Sequence, residues 1–231
     1  MIDLHGFGAQ LLAGTWVTVQ LALASLVVGL VFGLLGATAK LSDVSPLRWL
    51  GNGYSTLVRG LPEFLVVLTF YFGATDALMA VASLFGYDEY IEISAFAAGT
   101  AALGFIFGAY ASELFRGAII AIPPGQAEAA RALGMNRRKT FFRITLPQVW
   151  RIALPGLGNL FMILMKDTAL VSVVGLEELM RKTSFAVGHT KEPFTFYLAA
   201  AVMYLVLTSL ASFGLRYMER RANVGVRETT S

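Results

Sequence analysis

The sequence predicts an all-α membrane protein: five transmembrane helices in a single domain spanning residues 1–231, with a charged helix-turn-helix inserted on the cytoplasmic side. Hydrophobic residues fill 56% of the 231 positions and charged ones only 14%, far from the balance of a soluble domain. The apolar residues fall in long uninterrupted runs, and about 20 such residues cross a bilayer as a helix. Lys and Arg gather in alternate connections between those runs, the pattern that fixes membrane orientation. A net charge of +3 therefore records topology and gives no reason to invoke nucleic acid. With no cysteine there is no thiolate metal site, disulfide or cysteine nucleophile, and His5 and His189 are too far apart in sequence to suggest a metal site.

The first span lies within residues 10–37, because Leu4 to Ala39 holds no Asp, Glu, Lys or Arg. It lacks the basic leading region of a cleavable signal, the first Lys or Arg being Lys40. The second, residues 57–79, is entered through the turn Arg59-Gly60-Leu61-Pro62-Glu63, which sets Glu63 at the positive end of the helix dipole. The third, 93–120, is uncharged until Glu113, which precedes Arg116 by three residues and so faces it on one side of the helix. The fourth, 152–176, is free of charge only as far as Met165, before Lys166 and Asp167 interrupt it. The fifth, 194–215, stops at Arg216.

Orientation follows from the basic residues. Lys40, Arg48 and Arg59 lie between spans one and two; Arg116, Arg131, Arg137, Arg138, Lys139, Arg143 and Arg151 surround the connection between three and four; Arg216, Arg220, Arg221 and Arg227 lie in the tail. The other side has Arg181, Lys182 and Lys191, with Asp88, Glu89 and Glu92 unaccompanied. The amino terminus is thus expected outside and the carboxyl terminus in the cytoplasm. Gly29, Gly33 and Gly36, with Gly104 and Gly108, suit close helix contacts, although glycine is common in membrane helices in any case. No internal repeat is evident, so an inverted-repeat transporter plan finds no support.

The insert, residues 126–147, opens after Pro123-Pro124-Gly125, which ends span three. A short helix suits Gln126 to Leu133, with Glu128 in its first turn. Gly134 is placed to stop it in the left-handed conformation, and Asn136 to cap a second helix, Arg137 to Thr145, which Pro147 is expected to close. The residues alone leave three readings open: a topology loop attracting anionic lipid, a DNA-binding helix-turn-helix disfavoured by its position against the bilayer, and a docking knob for a cytoplasmic partner. Lys166 and Asp167 are also open to two readings. Ionisable residues at membrane depth are functional candidates, Asp167 for a cationic group and Lys166 for a carboxylate; alternatively Lys166 snorkels to the outer interface and Asp167 caps a following helix.

The spacing Glu128-Ala129-Ala130, three residues, Gly134, nine residues, Ile144, one residue, Leu146-Pro147 resembles the EAA loop in the membrane subunits of binding-protein-dependent ABC importers. Nearly the whole chain is similar to the polar amino-acid permeases, through Arg59-Gly60-Leu61-Pro62, Ala109-Tyr110-Ala111-Ser112-Glu113-Leu114-Phe115-Arg116-Gly117, Ile122-Pro123-Pro124-Gly125-Gln126 and the run from Lys166 to Ser172. From Glu192-Pro193-Phe194 to Glu219-Arg220-Arg221 and Val224-Gly225-Val226 the chain is similar to the Q-type subunits of histidine and lysine-arginine-ornithine importers.

The resemblance implies the type I ABC importer permease fold and ATP-driven transport of polar, basic amino acids across the bacterial inner membrane by alternating access. It makes Glu128, Ala129, Ala130, Gly134, Ile144, Leu146 and Pro147 the coupling element. Lys166, Asp167, Thr168, Glu113 and Glu63 are the candidates for the substrate pathway. It further implies two ATPase subunits, a second permease subunit (identical or related) and a periplasmic binding protein docking on Glu177 to Glu192 and on the acidic loop Asp88 to Glu92. The chain has no Gly-Lys pair and hence no P-loop; ATP and magnesium are expected on the partners, and the chain is expected to be no enzyme and to need no cofactor. The alternative is an ion-coupled secondary transporter with Lys166 and Asp167 as relay.

Overall fold

The structure, a computed structural model, describes residues 4–86 and 93–223. Among these, five helical stretches are long and apolar enough to cross a membrane: α1 (Gly8–Lys40), α3 (Glu63–Ser83), α4 (Ala95–Ile120), a continuous helical run over Arg137–Val174, and α9 (Pro193–Ala222). α1 and α4 form the densest helix pair, and α4 also packs on α2 (Ser45–Gly60), α3 and the fourth run, so it is the central post. α9 is peripheral, packing mainly on the fourth run and α8 (Leu179–Thr190).

The α1–α4 contact depends on side chains that are missing or small. A Cβ added to Gly104 falls 2.7 Å from Val28 Cβ and 3.1 Å from the Ser25 carbonyl oxygen; one on Gly29 falls 3.0 Å from the Gly104 carbonyl oxygen; one on Gly33 falls 2.8 Å from Ala111 Cβ. In lipid no hydrophobic gain drives helices together, so backbone proximity of this kind supplies the attraction. The glycines singled out in the sequence are contact residues.

Three boundaries differ from those the sequence suggests. Leu57 belongs to α2, a separate amphipathic helix that starts with Pro46 in its first turn, and the second span begins only at Glu63 after the break at Leu61-Pro62. α2 is too short and polar to register as a span, yet it packs on both α1 and α4: Tyr54 Oη donates to the Phe105 carbonyl at 2.6 Å. Pro147 does not close the insert's second helix. α6 (Arg137–Thr140) runs through a π-helical turn (Phe141–Thr145) into α7 (Leu146–Asp167), and Leu146 N–H reaches back five residues to the Phe141 carbonyl. The wider turn places Pro147 at the start of a new α-helical ladder, where its missing amide breaks no bond. Finally, Lys166 and Asp167 do not interrupt the span; the helix tightens to a 3₁₀ run over Thr168–Val174 and stops at Gly175, whose φ is +94°. Asp167 makes no capping hydrogen bond there.

Beyond Gly175, Glu178 caps α8 with its Oε1, which accepts from Arg181 N–H at 2.8 Å, while Oε2 accepts from Thr18 at 3.4 Å and Tyr204 at 3.3 Å. The residue is fully buried where α1, α8 and α9 meet, above a small apolar cluster of Leu11, Leu179, Ala186, Phe196 and Ala200. Burial pushes its carboxyl above the usual carboxylate range, against the pull of the Met180 and Arg181 amides. The acidic loop at Asp88 to Glu92, and Val224 to Val226 of the tail, lie outside the described residues.

If the α1–α4 contact holds the bundle together, Gly104→Val, which forces Val28 and the Ser25 carbonyl away, costs about 1–3 kcal/mol. Gly53→Ala on α2, where nothing lies within 4 Å of the new methyl, is neutral or stabilises by about 0.5 kcal/mol. Thermal unfolding in detergent is expected to lower the midpoint of Gly104→Val and leave that of Gly53→Ala unchanged or raised; equal midpoints would remove the contact from its role.

Candidate functional site

Halfway along α4, the side chains of Leu103, Ile106, Phe107 and Tyr110 turn toward Leu160, Ile163, Leu164 and Asp167 of α7 and Glu63 of α3, enclosing a cavity of about 130 Å³. The lining is apolar apart from Tyr110 and the two carboxyl groups, which interact directly with one another. Glu63 is there because Pro62 restarts the chain as α3 beside α4, and Asp167 because it ends α7 on the face that carries Leu160, Ile163 and Leu164. Two carboxyl groups meeting among apolar walls make a place that favours a cation.

Of the five residues singled out for a pathway, the cavity unites Glu63 and Asp167 and leaves out the other three. Lys166 is exposed and does not line it. Thr168 is buried, its hydroxyl donating to the Met165 carbonyl at 2.8 Å. Glu113 faces the α1 side of α4. Its Oε1 accepts from Lys40 Nζ at 3.0 Å and from Ser55 Oγ at 3.3 Å, and its Oε2 from Arg116 Nε at 2.9 Å, the pair expected from their spacing. Lys40, read from sequence as a topology charge, has a side chain only 1% exposed and also donates to Ser112 Oγ at 2.7 Å. A buried ammonium needs such partners to offset its desolvation. Tyr110 and Lys40 thus join the polar interior although sequence reasoning gave them no role there; the signal for Lys40 was its place as the first charge after a long neutral run.

The insert forms a rigid corner. α5 (Pro124–Ala132) carries Glu128, Ala129 and Ala130, with Ala130 alone of the three buried. It ends in a Schellman turn: Gly134 N–H donates to the Arg131 carbonyl at 2.9 Å and Met135 N–H to the Ala130 carbonyl at 3.1 Å, with Gly134 at φ +82°. Asn136 Oδ1 then accepts from Lys139 N–H at 2.9 Å and starts α6. Ile144, Leu146 and Pro147 sit across the π turn and the first turn of α7, so the corner is the end of the same rod that carries Asp167. Leu133, 85% exposed, and the edge-to-face pair Phe141 and Phe142, also exposed, present apolar surface beside Arg131, Arg137 and Arg138.

Comparison with known proteins accords with this geometry. Residues 9–224 match the family described as binding-protein-dependent transport system inner membrane component. The chain is 46% identical to the nopaline transport system permease protein NocQ of Agrobacterium fabrum, over 96% of this chain and 94% of that one. It is 42% identical to the histidine/lysine/arginine/ornithine transport system permease protein HisQ of Escherichia coli, over 97% and 98%. A crystal structure of an amino acid ABC transporter with histidines superposes with a TM-score of 0.77 at 33% identity, covering 92% of this chain and 94% of that one. A cavity with facing carboxyls in the bundle, a basic corner at its edge and this likeness along nearly the full length converge: the chain belongs to the binding-protein-dependent transport system inner-membrane components and is a multi-pass ABC-importer permease.

Proposed function

We propose that this permease carries basic amino acids such as arginine, ornithine, lysine and histidine. The observation that carries the reading is the meeting of Glu63 and Asp167 in an otherwise apolar cavity. A cationic side chain entering it finds two carboxyl groups that offset the cost of its desolvation. At about 130 Å³ the cavity is below the roughly 300 Å³ of sites that hold a whole ligand; it suits a side-chain head group. The likeness to a permease named for histidine, lysine, arginine and ornithine supports the same class.

Energy and selection come from partners. Two ATPase subunits carry the ATP and magnesium, and one of them grips the insert through Leu133, Phe141 and Phe142 inside a basic rim, the usual build of an interface anchor. A second permease, identical or related, supplies the other wall of the pathway. A periplasmic binding protein docks on Glu177 to Glu192, where α8 lies. In this arrangement the insert and the carboxyl terminus face the cytoplasm and the amino terminus the periplasm, following the basic residues. An ion-coupled mechanism leaves the insert without a task, and uptake that survives ATP depletion but collapses with an uncoupler would revive it.

In proteoliposomes holding the whole complex, Asp167→Asn and Glu63→Gln are each expected to raise the KM for arginine about tenfold, the scale of one charge-assisted hydrogen bond, and to weaken competition by ornithine and lysine. Unchanged KM in both variants would remove the cavity from the pathway. Gly134→Asp strains the left-handed turn by about 1 kcal/mol and adds charge at the corner. Substrate-stimulated ATP hydrolysis is expected to drop several-fold while the complex still assembles; wild-type stimulation in that variant would sink the coupling assignment.

A further inference from the structure

Between the cavity and the insert lies a second charged layer. Along α4 the cavity-lining positions end at Tyr110, the network residues Ser112, Glu113 and Arg116 follow, and the helix then runs out at Ile120 toward the insert. The two layers are about one helical turn apart. Arg59, in the last turn of α2, touches both. Its guanidinium carbon lies 5.4 Å above the centre of the Tyr110 ring, and Nη1 is 3.9 Å from Glu113 Oε1. Only Gly60, Leu61 and Pro62 separate it from Glu63.

Arg59 is the loosely held member of this layer. Glu113 is already bonded through Oε1 to Lys40 and through Oε2 to Arg116, both within 3.0 Å. Arg59 stands at the outer limit of an ion pair and its side chain is 45% exposed, against 1% for Lys40. Three cations share one carboxylate, so the layer is positive directly beneath an acidic cavity. Arg59 does not itself line the cavity, but its guanidinium is poised by a cation-π contact over the ring of Tyr110, which does.

We propose that Arg59 is a charge gate for the permease. Seated on Tyr110, it closes the insert-side exit of the Glu63–Asp167 cavity to cations, and it opens by swinging toward Glu113. The proposal rests on the cationic-substrate reading. It assigns a specificity role to a residue outside the cavity: the gate retains a positively charged amino acid until the transport cycle moves α2 or α4, while a neutral isostere experiences only its bulk.

The experiment uses proteoliposomes containing the complete complex. ATP-driven arginine uptake by the wild type comes first, and failure there overturns the substrate reading and the gate together. Vesicles are then loaded with labelled arginine or its neutral isostere citrulline, and efflux without ATP is followed. Arg59→Gln is expected to raise arginine efflux about tenfold and citrulline efflux less than twofold, with Arg59→Lys close to wild type. Equal rises for both solutes, as loss of packing alone would give, or no rise for either, overturn the gate while leaving the substrate reading standing. Should Arg59→Gln fail to assemble, Tyr110→Leu removes the ring beneath the guanidinium and is judged by the same arginine-to-citrulline comparison.

Discussion

The close approach of α1 to α4 is the constraint on which the rest of the molecule depends. Gly29, Gly33, Gly104 and Gly108 let two long helices touch backbone to backbone, and that contact aligns their polar ends. Lys40 then reaches Ser112 and Glu113, α2 fills the angle beside them with Tyr54 against Phe105, and the opposite side of α4 is left free for α3 and α7 to build the cavity. Separating α1 from α4 would leave a buried ammonium without its carboxylate, which is far costlier than the loss of a surface ion pair.

How much of this was legible in the sequence follows the physics of each element. The spans were visible because water and lipid sort residues so strongly that a neutral run of such length is seldom anything but a membrane helix. The corner was visible because its signals are local: a glycine required at positive φ and an asparagine able to cap, two residues apart. α2 was not, because a half-polar helix of 16 residues between two spans has the composition of a loop. Pro147 misled for a related reason. Proline ends an α-helix, but it is tolerated when a π turn resets the hydrogen-bond ladder just before it, and no simple sequence pattern announces that turn. The facing of Glu63 and Asp167 belongs to tertiary structure alone, since the two lie on helices far apart in the chain.

The polar interior is layered by sign. Acidic groups lie in the cavity midway along α4, cations dominate the next turn, and the insert carries the basic and apolar surface beyond. Each layer is offset by partners suited to its depth: the buried Lys40 has a carboxylate and a hydroxyl, while the basic side chains of the insert are left to solvent, where charge costs little. Glu178 plays the matching part at the other end, its carboxyl supplied with an amide and two hydroxyls instead of a cation.

The unbroken passage from α6 through the π turn into α7 has a mechanical consequence. From Arg137 to Asp167 the chain is one shaft of about 45 Å, with no loop in it to absorb displacement. A torque applied at the corner therefore arrives at the Asp167 carboxyl as rotation or translation of nearly the same size, reduced only by whatever bending occurs at Pro155, which cannot donate to the ladder. The acidic cavity and the corner are two ends of a single stiff component, and neither can shift far while the other stays still.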